Sequence, residues 1–206
     1  MSNCTSMPTD RLTRQMAFLV EADKLKTIVR RTPLTDRSRL ENSAEHSWHL
    51  GLAAVALREY APDGVNMLRV LELLAVHDLV EIDAGDTFAY DSRANVTKES
   101  RERAAADRIF GILPIDQARR LRADWEEFEA FETRESRVAN ALDRLQALLQ
   151  NMAAGGGSWS AHGVTKRQVL ERMAPVQAAL PDVWPFVVDV IDRFCASGAI
   201  GNDLER

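Results

Sequence analysis

Between Val65 and Asp83 the chain repeats apolar residues at helical spacing, and two ionisable side chains share their stripe. At 100° per residue Val70, Leu73, Leu74, His77 and Glu81 fall on one face, with Asp78 at its edge. A helix that buries this face takes His77 and Glu81 out of water with it. Unpaired, they would cost several kcal/mol, so the fold has to bring them partners. The plainest partnership is a core histidine hydrogen-bonded to Glu81. The other is a bound cation.

Two more segments carry the same anomaly. His46 lies in the stripe of Leu50, Ala53 and Leu57, with His49 at its flank. Asp143 flanks the stripe Val138, Leu142, Leu145 and Leu149, beside the small residues Ala139 and Ala147. Taken singly, His46 reads as a core or rim histidine and Asp143 as a helix-surface carboxylate. Taken together, His46, His77, Asp78 and Asp143 would form one buried polar cluster drawn from three helices. A divalent cation answers the desolvation cost of all of them at once. Imidazole with carboxylate suits Mn²⁺, Co²⁺, Fe²⁺, Mg²⁺ or Zn²⁺. Such an ion would acidify a water and polarise a substrate oxygen.

The rest of the chain reads as helix after helix, an all-α bundle. A first amphipathic helix is expected from about Thr9 to Val29, with Leu12, Met16, Leu19 and Leu25 near one face. An Arg-rich loop from Arg30 to Arg39 follows. A second helix starts near Asn42, where Glu45 completes a near capping box, and a third runs from about Val65 to Asp83. After a loop from Gly85 to Val96, helices start near Thr97, Pro114 and Thr133, the last ending at Gly155-Gly156-Gly157. The final two start near Thr165 and Pro181, and Pro175 should kink or end the first of them. Short connections favour antiparallel packing. The expected organisation is one domain over residues 1–206, with a core of about residues 25–153 and helices of residues 164–197 packed on it.

At 206 residues the chain can bury a sizeable core. Its net charge of −5 argues against a nucleic-acid polymer as partner. A small anionic substrate held by local arginines is compatible with it. Cys4 and Cys195 are too far apart in sequence to read as a metal knuckle or a disulfide framework. Residues Met1 to Asp10 lack the pattern of a signal peptide, and no stretch approaches the ~20 apolar residues of a membrane span. A cytoplasmic setting is expected.

The residues themselves resemble a known family. His46, His77-Asp78 and Asp143 resemble the H…HD…D signature of the HD-domain phosphohydrolases. Arg39-Leu40-Glu41-Asn42-Ser43-Ala44-Glu45-His46-Ser47 is similar to the R-x-E-N-x-x-E-H-S pattern of bacterial 5′-deoxynucleotidases. His77-Asp78-Leu79-Val80-Glu81 with Gly85-Asp86 is similar to their H-D-x-x-E-x-x-x-G-D pattern. The stretch from Gly157 to Val164 resembles a bacterial branch close to small eukaryotic HD-domain phosphohydrolases.

The resemblance implies an HD-domain helical bundle, one divalent metal, a homodimer, and hydrolysis of phosphomonoesters such as nucleoside 5′-monophosphates. Carried over by position, the metal ligands are His46, His77, Asp78 and Asp143. Glu81 takes the place of the catalytic carboxylate and Asp86 that of another active-site carboxylate. Arg30 matches the arginine that lies at the substrate. Arg39 is a further candidate for the phosphate, with a solvated loop charge or salt bridge as its alternative; Arg93 and Lys98 are weaker ones. Arg31, a further candidate at the substrate with the same alternative, stands where the nucleotidases carry a tryptophan that helps exclude a ribose 2′-hydroxyl. Weak discrimination between deoxyribose and ribose is therefore expected. No histidine lies between His77 and Asp143, so a single metal is expected, and His162 reads as a surface or tail-packing residue. Other phosphate esters as substrate, or a regulatory module with a structural metal, are the competing readings.

Overall fold

The computed structural model describes residues 8–90 and 96–201; Cys4, Asp91 and Arg93 lie outside them. The first helix, α1, spans Pro8–Ala22 and tightens into a 3-10 turn over Asp23–Thr27. It stops well short of Val29. Thr27, Ile28 and Val29 are β-branched and poor helix formers, and the Thr27 hydroxyl donates to the Lys24 carbonyl at 2.7 Å, which closes the last turn. The stripe of Leu12, Met16 and Leu19 is exposed, while Phe18 and Leu25 turn inward.

The expected Arg30–Arg39 loop is a hairpin. Strands β1 (Val29–Pro33) and β2 (Leu40–Asn42) pair antiparallel, with Val29 opposite Asn42 and Pro33 opposite Leu40. Its turn is closed by Leu34 N–H donating to the Arg39 carbonyl at 2.9 Å, and Asp36 accepts from the Ser38 N–H. Helix α2 (Ser43–Ala56) starts directly after β2 with the full capping box: Asn42 accepts from Glu45 N–H, and the Glu45 carboxylate accepts from Asn42 N–H.

The long third helix is interrupted. Helix α3 (Met67–Val76) gives way to a tight turn, and the single turn α4 (Glu81–Ala84) follows, ending at Gly85 with φ 74°. Through the turn the bonds run to the residue three back, such as Glu81 N–H to the Asp78 carbonyl at 2.9 Å. The interruption falls on His77-Asp78 itself.

Helices α5 (Lys98–Phe110), α6 (Ile115–Ala130) and α7 (Arg134–Ala153) come next. Gly155, Gly156 and Gly157 all take positive φ, and at Gly157 a Cβ would meet Asn151 Oδ1 at 2.5 Å. A short helix, α8 (Gly157–His162), was not foreseen. Helix α9 (Lys166–Ala179) has a capping box between Thr165 and Gln168. It runs past Pro175, because the Glu171 backbone that loses a donor is on the exposed side. After a 3-10 turn over Pro181–Val183, α10 (Trp184–Ala196) closes the described chain. Among the described residues no helix is long and apolar enough to cross a membrane.

Two apolar clusters fill the interior. One joins α2, α3, α7, α9 and α10 through Leu50, Leu73, Leu142, Val176 and Ile191. The other joins α1, α5 and α6 through Phe18, Ile109 and Trp125. The α3–α4 segment crosses between them. Val70, Leu73 and Leu74 enter the first, and Val76, Leu79 and Val80 the second. The polar residues of the turn therefore open at the seam.

Candidate functional site

Three elements bring ligand-type atoms together at that seam. His46 comes from α2, His77 from the turn after α3, and Asp143 from α7. One ligand atom from each lies within 4.8 Å of the others. His46 Nε2 is 3.0 Å from Asp143 Oδ1. The Nδ1 of each ring is engaged elsewhere, which fixes where Nε2 points. His77 Nδ1 donates to the Leu74 carbonyl at 2.9 Å. His46 Nδ1 is 2.9 Å from Gln146 Oε1, and the amide is oriented by Glu41 Oε1, which accepts from Gln146 Nε2 at 2.9 Å. Since Gln146 turns its oxygen to His46, His46 Nδ1 donates there, and Nε2 is the nitrogen turned to Asp143. In both rings Nε2 is thus the nitrogen turned to the cluster, the atom that would ligate a metal once deprotonated.

A cation fits this cluster. His77 Nε2 is buried and makes no hydrogen bond. Asp78 Oδ1 lies 3.0 Å away, but off the bonding direction. Burial opposes charge on His77, yet Asp78 and Asp143 overcome it and hold its pKa raised to about 9. The pocket demands positive charge, and the donor set suits a divalent ion. His46, His77 and Asp143 could hold it. Asp78 stands at the edge: its Oδ2 is 3.9 Å from His46 Nε2 and accepts from Arg30 Nη1 at 2.9 Å.

Around the cluster opens a cavity of about 160 Å³, lined among others by Arg30, Arg31, Glu81 and Asp86. Glu81 is buried and accepts from the Ser43 hydroxyl at 2.6 Å. It does not pair with His77. Burial, then the neighbouring charge of Asp78, pushes its pKa up. Burial also raises Asp86. Arg30 is wedged among carboxylates: Asp78 at 2.9 Å, Glu41 at 3.5 Å and Asp86 at 4.0 Å.

The remaining candidates divide. Arg31 is exposed and reaches the cavity wall. Arg39 does not line it; it is bidentate to Glu45 at 2.8 and 2.5 Å on the surface, the pairing held open as its alternative. Lys98 lines the cavity beside Glu102 at 3.5 Å. His49 approaches Gln146 at 3.2 Å, and His162 packs its ring 4.6 Å from Phe88. Sequence reasoning missed the support of His46. Gln146 and Gln150 follow Asp143 along α7, and both donate to Glu41 Oε1. Glu41 lies in the Arg39–Ser47 stretch, and the two glutamines lie a turn apart on α7; that spacing is the available signal. Ser43, Arg144 and Arg172 were missed as well.

A family model for the HD domain matches residues 22–184. The 5′-deoxynucleotidase HDDC2 of Homo sapiens is 30% identical over 112 residues, 54% of this chain and 53% of that protein. The HDDC2 5′-deoxynucleotidase of Dictyostelium discoideum is 23% identical over 145 residues, 68% and 76% of the two chains. The chain spans about half the length of the mammalian relatives it matches. A crystal structure from Magnetospirillum magnetotacticum MS-1, described as a predicted metal-dependent phosphohydrolase, is 48% identical. It superposes with a TM-score of 0.91 over 95% of this chain and 98% of that one. On this family match and this likeness across nearly its whole length, the chain belongs to the HD domain family.

Proposed function

We propose that the chain is a metal-dependent phosphomonoesterase that splits nucleoside 5′-monophosphates into nucleoside and orthophosphate. One observation carries the reading. Glu81, a buried carboxylate outside the three-ligand group, lines the same cavity as His77 and Asp143 of that group and is oriented by Ser43. A structural metal has no use for such a residue, so the regulatory-module reading is disfavoured. The names of the relatives support the nucleotide class.

A divalent cation on His46, His77 and Asp143, with Asp78 beside them, supplies Lewis acidity and a lowered water pKa when bound. Glu81 takes the proton of the attacking water, which general-base catalysis requires to lie within hydrogen-bond reach. Water oxygen bonds to phosphorus, the bond to the 5′-oxygen breaks, and Asp86 at the mouth gives that oxygen its proton. Arg30 supplies positive charge on the hairpin wall and holds Asp78 in place. Arg31 leaves no rigid wall against a 2′-hydroxyl, so deoxyribo- and ribonucleotides are both substrates. A homodimer belongs to the same reading. The exposed apolar side chains Leu12, Met16 and Leu19 of α1 and Trp48, Leu52 and Val55 of α2 are the surfaces a second copy would cover. Light scattering tests that state.

The decisive experiment is phosphate release from a panel of phosphomonoesters after reconstitution with Mn²⁺, Co²⁺ or Mg²⁺. Turnover of nucleoside 5′-monophosphates is expected. Turnover confined to other phosphate esters would move the substrate class, and none at all would sink the enzyme.

A further inference from the structure

The cavity has a second cationic wall, opposite in character to the one built around Arg30. Arg144 follows Asp143 on α7, and Arg172 reaches in from α9. Both line the cavity. Their guanidinium groups share one oxygen: Asp143 Oδ2 is 3.7 Å from Arg144 Nη1 and 3.5 Å from Arg172 Nη2. The other oxygen of Asp143 faces His46. Arg30, by contrast, has three carboxylates around one guanidinium.

This second wall is built. Arg144 Nη1 donates to the Asn140 carbonyl at 2.9 Å and to Asn140 Oδ1 at 2.8 Å. Asn140 is itself fixed, because its Nδ2 donates to the Phe128 and Ser136 carbonyls. The Arg144 guanidinium also lies over the Phe131 ring at 4.7 Å. Two like charges converge on one carboxylate oxygen, and that carboxylate is committed to the ligand group. Glu129 lines the same cavity near Arg144, and two guanidinium groups sharing one Asp143 oxygen leave N–H donors for an incoming anion. Two planar forks flanking a space suit a tetrahedral oxyanion with several acceptor oxygens.

We propose that Arg144 and Arg172 form the subsite that grips the phosphoryl group of the ester and the orthophosphate it becomes. Arg30 keeps its contact with Asp78. The proposal rests on the phosphohydrolase reading and sharpens it, by adding the α7–α9 wall to the positive charge of the hairpin wall.

The test is calorimetric titration of inorganic phosphate into the full chain, Mg²⁺-loaded and metal-free, for wild type, Arg172→Ala and Arg172→Lys. Arg172 is about one-third exposed, so its removal spares the core. Arg172→Ala should weaken phosphate binding at least tenfold. Arg172→Lys should fall between, since charge is kept and the fork is lost. In turnover assays the KM of the alanine variant should rise by the same factor, with metal content unchanged. Equal phosphate affinity in wild type and Arg172→Ala would overturn the subsite. So would no measurable phosphate binding to wild type, or loss of metal from the variant, which would make Arg172 a support for Asp143 only. A wild type that turns over monoesters while phosphate affinity ignores Arg172 leaves the enzyme reading standing without the subsite. A wild type that binds phosphate through Arg172 and splits no ester does the reverse.

Discussion

His46 and His77 present the same nitrogen to the same cluster, and the molecule anchors them in opposite ways. His77 leans on a backbone carbonyl three residues earlier, at Leu74, and packs at a tilt on the Phe128 ring, with ring centroids 4.9 Å apart. Its orientation comes with the turn it sits in. His46 leans on a chain of side chains, Gln146 and then Glu41, that reaches across 100 residues of sequence and back. The backbone part of the first anchor cannot be removed by a side-chain substitution. The second can, and it also borders Arg30 through Glu41 at 3.5 Å. One centre therefore has a side set by local geometry and a side set by tertiary packing.

The sharpest cut separates anchoring from chemistry. Glu81→Ala touches neither histidine, and Glu81 is held by Ser43 alone among the described hydrogen bonds. Turnover should fall by about 10²–10⁴, while metal content measured by elemental analysis stays that of wild type. Parallel loss of the ion would make Glu81 a ligand.

The next cut goes through the His46 side. Gln146→Leu removes the acceptor that orients Nδ1 and leaves Glu41 with one fewer donor. Metal affinity should drop about 10–100-fold, the usual cost of losing such support, as read by competition with a chelator. Gln146→Glu restores an acceptor for His46 but sets a carboxylate against Glu41, so it should recover little. Wild-type affinity in Gln146→Leu would mean that both histidines are positioned by their helices alone.

The same contrast explains what could be read from the chain. His46, His77 and Asp143 were legible because an ionisable group on an apolar helical stripe has to be paired, and the stripe is a local pattern. The caps at Asn42, Thr133 and Thr165 were legible for the same local reason. The hairpin was not: strands of five and three residues are too short to show alternation. Nor was the break at His77, since the apolar periodicity runs through it unbroken. Gln146 and Arg172 read as ordinary polar positions on helix faces. Their meaning lies in Glu41 and Asp143, which other elements deliver.

Arg31 offers a smaller effect on the hairpin wall. In wild type the ratio of kcat/KM for dAMP over AMP should be near unity. Arg31→Trp puts a flat, rigid side chain on that wall and should raise the ratio by up to about tenfold, within the range a hydrophobic wall gives against an added hydroxyl. A wild-type ratio already above roughly 10² would show that another residue builds the wall.

The smallest effect lies beyond His77, where Glu102 of α5 is buried beside Lys98. The charges facing it are Lys98, Glu129 and Asp78. Burial pushes Glu102 up to about 7 from its ordinary 4.5, Lys98 pulls it down, and Glu129 and Asp78 add to the rise. The folded state therefore holds a proton that the unfolded state releases. Stability from this group is complete below about pH 4.5 and is lost as pH rises through 7. Glu102→Gln keeps the shape and removes the titration. Measured without metal, wild type and variant share every other ionisation, so their difference in Tm isolates Glu102. The variant should match wild type near pH 4.5 and exceed it at pH 8 by about 5–10 °C, from about 1.4 kcal/mol per pKa unit and about 2–4 °C per kcal/mol. Parallel curves across that range would place the ion pair with Lys98 above the burial cost and leave Glu102 ionised throughout.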